Sequence, residues 1–110
     1  MGHPTPFTGT WDVVSSPDFD DAYLAMEEAP YVRLRQEGQS VVGEYHVGLQ
    51  TGQIDGRTED PNRVTFSFEG MDEMEETNGA GTLTLNGDRL AFVLMYHQGD
   101  EFTFECERRR

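Results

Sequence analysis

Lysine is absent from this chain: all eight basic residues are arginine. That excludes a Schiff-base lysine and the lysine of a phosphate-binding P-loop. Cysteine occurs once, at Cys106, so neither an internal disulfide nor a thiolate-built zinc site can form. No apolar run approaches the roughly 20 residues that span a bilayer. The opening Met1-Gly2-His3-Pro4 has no basic patch leading into an apolar run, so no signal peptide is expected. Gly2 suits myristoylation, but Pro6 stands where serine or threonine is needed. Positive charge is scarce, with 21 acids giving a net charge of -13. Such a surface repels phosphate backbones and anionic lipid heads, so neither nucleic acid nor a membrane is expected as partner. A cytoplasmic location and no cofactor are the corresponding expectations.

What is present reads as strands. The length predicts a single domain over 1–110, and 35% hydrophobic with 11% aromatic residues suffices for a core. Turn signals recur throughout: Glu37-Gly38, Gly48 to Gly52, Asp60-Pro61-Asn62, Asn86-Gly87 and Gln98-Gly99-Asp100. Asn86-Gly87 is the strongest, since a two-residue type I′ hairpin needs positive φ at both positions. Strands are predicted near 7–15, 30–37, 40–48, 51–58, 62–69, 76–85, 88–97 and 101–108. The acidic stretch 69–79 reads as an exposed loop running into a strand. This rhythm predicts an all-β fold, an eight-stranded antiparallel up-and-down barrel.

One segment breaks the rhythm. Ser16 suits a helix N-cap, Pro17 its first turn, and Asp18, Asp20 and Asp21 its positive end, while Pro30 stops it. The spacing predicts a helix over 17–28 with Phe19, Tyr23 and Met26 on one face. In a barrel that face covers an open end, either as a plug or as a lid over a ligand.

Alternation along each strand separates an inward set from an outward one. The inward set holds the candidate ligand-contacting residues Gln36, Tyr45, Val47, Ile54, Phe66, Phe68, Phe92, Leu94, Tyr96, Phe102 and Phe104. Gly9, Gly43, Gly56 and Gly81 suit bends at barrel corners. An eight-stranded barrel is either filled by its own side chains or keeps room for one small ligand, and both readings stand. The strand 88–97 is apolar on both faces. Ala91, Val93 and Met95 then face out and need cover, from the helix or from a second copy in a homodimer.

The stretch Phe7-Thr8-Gly9-Thr10-Trp11-Asp12-Val13-Val14-Ser15-Ser16-Pro17-Asp18-Phe19-Asp20-Asp21 resembles the opening of intracellular fatty-acid-binding proteins. They begin with a Gly-x-Trp strand, then Ser-Ser, then a helix start. They belong to the wider calycin group with lipocalins and avidins. The resemblance implies a barrel holding a small apolar or amphipathic molecule. The family is longer, with more strands and a second lid helix, and carries an Arg-x-Tyr near its end that grips a carboxylate. Here Arg108 is followed by Arg109 and Arg110, so the tyrosine is missing. Many calycins pack a C-terminal arginine across the Gly-x-Trp tryptophan, which implies Trp11 and Arg108 as a structural cap. Arg108 as a carboxylate anchor is the competing role.

Catalytic and metal chemistry have little support. Glu44 with His46, and Met95 with His97, lie on outward faces, so no metal site is expected. Cys106 beside Phe104 reads as a small core residue rather than a nucleophile. A buried Tyr45 or Tyr96 acting as an acid in an isomerase or cyclase is the enzyme reading. Three functions from different classes therefore follow: a ligand-binding barrel, a packed interaction module, and a barrel enzyme.

Overall fold

A computed structural model describes residues 6–109; Gly2 and Arg110, to which the sequence reading gave roles, lie outside that range. The strands are β1 (Gly9–Ser15), β2 (Tyr31–Glu37), β3 (Ser40–Val47), β4 (Gln50–Asp60), β5 (Arg63–Asp72), β6 (Glu75–Asn86), β7 (Arg89–Tyr96) and β8 (Glu101–Arg108), with one helix, α1 (Asp21–Leu24), between β1 and β2. They form one closed antiparallel barrel in sequence order. β1 and β8 close it, with Trp11 opposite Arg108 and Val13 opposite Cys106. A bulge between Val13 and Ser15 interrupts that ladder, and Val14 faces solvent.

Hairpins set the register. β2 through β7 are joined by two-residue turns at 38–39, 48–49, 61–62, 73–74 and 87–88. The strongest turn signal is displaced by one residue: Asn86 pairs with Arg89, so Gly87 and Asp88 form the turn, and only Gly87 has positive φ. The acidic stretch 69–79 is not a loop. β5 runs on to Asp72 and β6 starts at Glu75, with Glu73 at φ 57° between them. Charge density there suggested exposure, but the alternation of half-buried Gly70, Asp72, Thr77 and Gly79 carries the pleat through it.

The interior is built from large rings laid over glycines. Trp11, Tyr45, Phe66, Phe68, Phe92 and Phe104 are buried, with Val32, Leu34, Val41, Val47, Ile54, Leu83, Leu90 and Leu94 filling between them. A methyl group at Gly81 would fall inside the Phe66 ring, and one at Gly56 would strike its Cβ. These glycines therefore make room for aromatic side chains on neighbouring strands. The rings touch in series: Phe104 to Phe92 at 5.5 Å, Phe92 to Phe66 at 5.9 Å, Phe66 to Phe68 at 6.5 Å and Phe68 to Tyr96 at 5.5 Å. These are the separations of ring pairs in direct contact.

One end is sealed by the chain preceding β1. Trp11 Nε1 donates to Phe7 O, and Phe7 N donates to Gln36 Oε1. Gln36 Nε2 donates to Gly38 O, so this buried amide is spent on backbone at the sealed end. The Arg108 guanidinium lies 4.2 Å from the Trp11 ring centroid and donates to Thr8 O at 2.8 Å and Pro6 O at 2.5 Å. Its donors go to backbone outside the barrel, which is the geometry of a cap and not of an interior carboxylate anchor.

Candidate functional site at the helix-covered mouth

The other end is bounded by the segment 16–30 and the turns 48–49, 73–74 and 97–100. The covering segment differs from the helix that spacing predicted. It contains four helical residues, capped by Asp20, whose carboxylate accepts from Tyr23 N at 2.8 Å. Ser16 instead donates to Thr103 O and accepts from Asp18 N. Four residues make barely one turn, so the periodicity ends before Met26, which is 57% exposed. Leu24, which the sequence reading passed over, points inward and is buried.

Phe19 and Tyr23 do face the barrel. Phe19 stacks on Tyr23 at 4.7 Å and meets Phe102 at 4.8 Å and Phe104 at 5.9 Å. Gly48 is required here twice over: it has φ +60°, and any Cβ would collide with the Tyr23 ring. Its N–H donates to Leu24 O at 3.0 Å, which ties the helix to the β3–β4 turn. On the outside, His46 lies 3.2 Å from Glu27 and 3.6 Å from Glu28.

Beneath this cover is a polar cluster in an otherwise apolar interior. Tyr96 Oη donates to Gln50 Oε1. Gln50 Nε2 and Leu49 N donate to Tyr23 Oη at 3.3 and 3.4 Å. The chain of bonds thus crosses the mouth from β7 through β4 to α1. Next to it, Tyr45, Gly52, Gly70 and Thr77 lie in one row across β3 to β6, each opposite the next. With no side chain on Gly52, the Tyr45 ring extends over its Cα, and a Cβ there would lie 2.5 Å from Tyr45 Oη. Thr77 neighbours the Tyr45 and Tyr96 hydroxyls. Neither Tyr45 Oη nor Thr77 Oγ1 completes a hydrogen bond, although both atoms are buried. Burial pushes the Tyr45 hydroxyl far above the ordinary tyrosine range, the nearby Thr77 hydroxyl opposing the shift and the Asp72 carboxylate adding to it. The Tyr96 hydroxyl is raised likewise, chiefly by burial. Both are neutral at physiological pH.

Asp72 shares the inward parity of Phe68 and Gly70 and is half-buried at the rim, opposite Gln50. The segments around the mouth add Asp18, Asp20, Asp21, Glu27, Glu28, Glu73, Glu75, Asp100 and Glu101, and not one arginine. Of the described arginines, Arg108 and Arg109 lie at the sealed end, as do Arg63 and Arg89 at their strand starts; Arg33, Arg35 and Arg57 are on the outer wall.

Of the candidate ligand-contacting residues, Tyr45, Tyr96 and Phe102 stand at the mouth. Val47, Ile54, Phe66, Phe68, Phe92, Leu94 and Phe104 form the packed interior, and Gln36 belongs to the sealed end. Sequence reasoning missed Gln50, Asp72 and Thr77. The alternation Gln50-Gly52-Ile54 and Thr77-Gly79-Gly81-Leu83 carried the signal, but glycines diluted it and the loop reading of 69–79 hid the rest. Cys106 is buried, its thiol held protonated chiefly by burial. Among the described residues no three His, Cys, Asp or Glu side chains converge as metal ligands. A concavity of about 1210 Å³ lies open along the wall around the Arg33–Glu44 ion pair and shares no residue with the mouth cluster.

No protein-family model matches the chain. No curated protein sequence matches it either. Solved structures do match by fold. Human cRBP IV, a cellular retinol-binding protein, superposes over 96% of this chain and 100% of its own, at TM-score 0.57 and 17% identity. A structure described as the REP1-NXSQ fatty acid transporter covers 94% and 96% of the two chains at TM-score 0.56 and 14% identity. The likeness is one of fold: a closed antiparallel up-and-down β-barrel.

Proposed function

We propose that this barrel is a binding protein for one small apolar or amphipathic molecule, taken in through the helix-covered mouth. The observation that carries the reading is the pair of buried hydroxyls without partners, Tyr45 Oη and Thr77 Oγ1. An unmatched buried hydroxyl costs about 1–3 kcal/mol, so two in one small domain suit groups reserved for a ligand. Phe19 and Tyr23 belong to the covering segment and not to the sheet. When that segment lifts, both rings leave and the mouth opens without breaking the strand ladder. The two neighbours named above as a retinol-binding protein and a fatty acid transporter agree with this reading.

The test uses the neutral fluorescent probe N-phenyl-1-naphthylamine with purified protein. Saturable, one-to-one enhancement and a rise in melting temperature are expected, with the affinity changed by Phe19→Ala. The continuous contact of Phe104, Phe92, Phe66 and Phe68 favours a second reading, a packed barrel that serves as a protein-interaction module. Absence of probe binding in wild type and Phe19→Ala alike would leave that second reading. We also propose a homodimer through the outer face of β7, where Ala91, Val93 and Met95 are half-buried. Salt should strengthen it by screening the net charge of -13. A monomer by light scattering at high salt and high protein concentration would dismiss it.

A further inference from the structure

We infer that the mouth selects a ligand whose polar end is a protonated amine, and that it rejects carboxylates. The inference rests on the binding reading above and goes beyond it by naming the head-group chemistry.

Three observations converge. The first is the unsatisfied Tyr45 hydroxyl, on a residue only 2% exposed, with the unsatisfied Thr77 hydroxyl close by. A hydroxyl oxygen accepts, so both are ready for the N–H groups of an ammonium ion. The second is Asp72, half-buried on the inward parity at the rim with the exposed Glu75 opposite it, and close enough to raise both tyrosine hydroxyls. A cation lodged near it would find a counter-charge already in place, whereas a carboxylate would meet a like charge. The third is the ring set above the cluster. Phe19 lies against Tyr23 and Phe102, and Tyr96 meets Phe102 at 5.4 Å. Aromatic faces attract cations and repel anions through the ring quadrupole.

The long-range field acts in the same sense. Three of the four connecting segments at this end carry carboxylates, the 48–49 turn being the exception, and none carries arginine. A cleft lined by one sign of charge concentrates counter-ions and excludes co-ions. The barrel's seven described arginines are all on the outer wall or at the sealed end, so no cation stands inside to bind an anionic head. The geometry is thus opposite in sign to a carboxylate-gripping barrel.

The experiment compares n-decylamine, n-decanol and decanoate, one chain length with three heads, as competitors for bound N-phenyl-1-naphthylamine at pH 7. Decylamine should displace the probe at about a tenfold lower concentration than decanoate, a step worth ~1.4 kcal/mol. Asp72→Asn should cut the decylamine affinity severalfold and leave decanol unchanged, and added salt should weaken decylamine alone. Decanoate or decanol binding as tightly as decylamine would overturn the inference while leaving the binding reading intact. An unchanged decylamine affinity in Asp72→Asn would overturn the role of that carboxylate. Failure of the wild type to bind the probe or any of the three heads would overturn the binding reading and this inference with it.

Discussion

Replacing Tyr45 by phenylalanine should stabilise the empty protein. Most substitutions at a buried aromatic destabilise, so the sign itself is informative. The ring would keep its contacts, with Phe92 at 5.5 Å and Phe68 at 6.2 Å. What is removed is one buried hydroxyl that completes no hydrogen bond. Releasing that desolvation penalty contributes about 1–3 kcal/mol. Against it stands the void left by one oxygen atom, about 0.3 kcal/mol at the usual cavity coefficient. The net expectation is a gain of about 1–2 kcal/mol, read as a melting temperature several degrees higher in a domain of this size. Urea unfolding followed by circular dichroism measures it directly, with the m-value unchanged because the buried surface hardly changes. Thr77→Val should behave alike. A loss of stability in Tyr45→Phe would show that the hydroxyls are satisfied in the empty protein. The argument for a ligand reserved by them would then fail.

Two further outcomes follow from the ends of the barrel and from its buried protons. Arg108→Leu should lower stability by about 2 kcal/mol, combining loss of the indole contact with loss of charge-assisted bonds to Pro6 O and Thr8 O. Probe binding at the far mouth should be unaffected, and equal losses of stability and binding would contradict the division into a sealed and an open end. Stability should fall as pH rises above about 9. Burial raises the Cys106 thiol and the Tyr45 hydroxyl above their ordinary values of 9.0 and 10.0. In that window the unfolded chain releases protons that the folded chain retains, so each group removes about 1.4 kcal/mol per pH unit above its ordinary value. Urea midpoints from pH 8 to 11 check it, and Tyr45→Phe should flatten the slope above pH 10.

The barrel itself was legible in the chain because its signals are local. Two-residue turns at glycine, asparagine and aspartate, with period-two alternation between them, specify antiparallel neighbours without any long-range information. The inward parity of Trp11, Tyr45, Phe66, Phe68, Phe92 and Phe104 follows from that alternation alone, and so does the placement of Cys106 in the core. The charge balance, too, belongs to the sequence.

Three matters were decided only by tertiary structure. The helix stops at Leu24 because the chain must return to β2 and dock on the Gly48 turn, so Met26 faces solvent while Leu24 turns inward. Sequence periodicity does not know where packing ends. The glycines of β4 and β6 look like corner residues in isolation. Their function as beds for Tyr45, Phe66 and Phe68 depends on which residue the register sets opposite them. The mouth cluster draws Tyr23, Tyr45, Gln50, Asp72, Thr77 and Tyr96 from six separate elements, and it appears only when the closed barrel brings their ends to one rim. Local patterning encodes which face a residue occupies; closure of the sheet alone fixes which distant residues share an end.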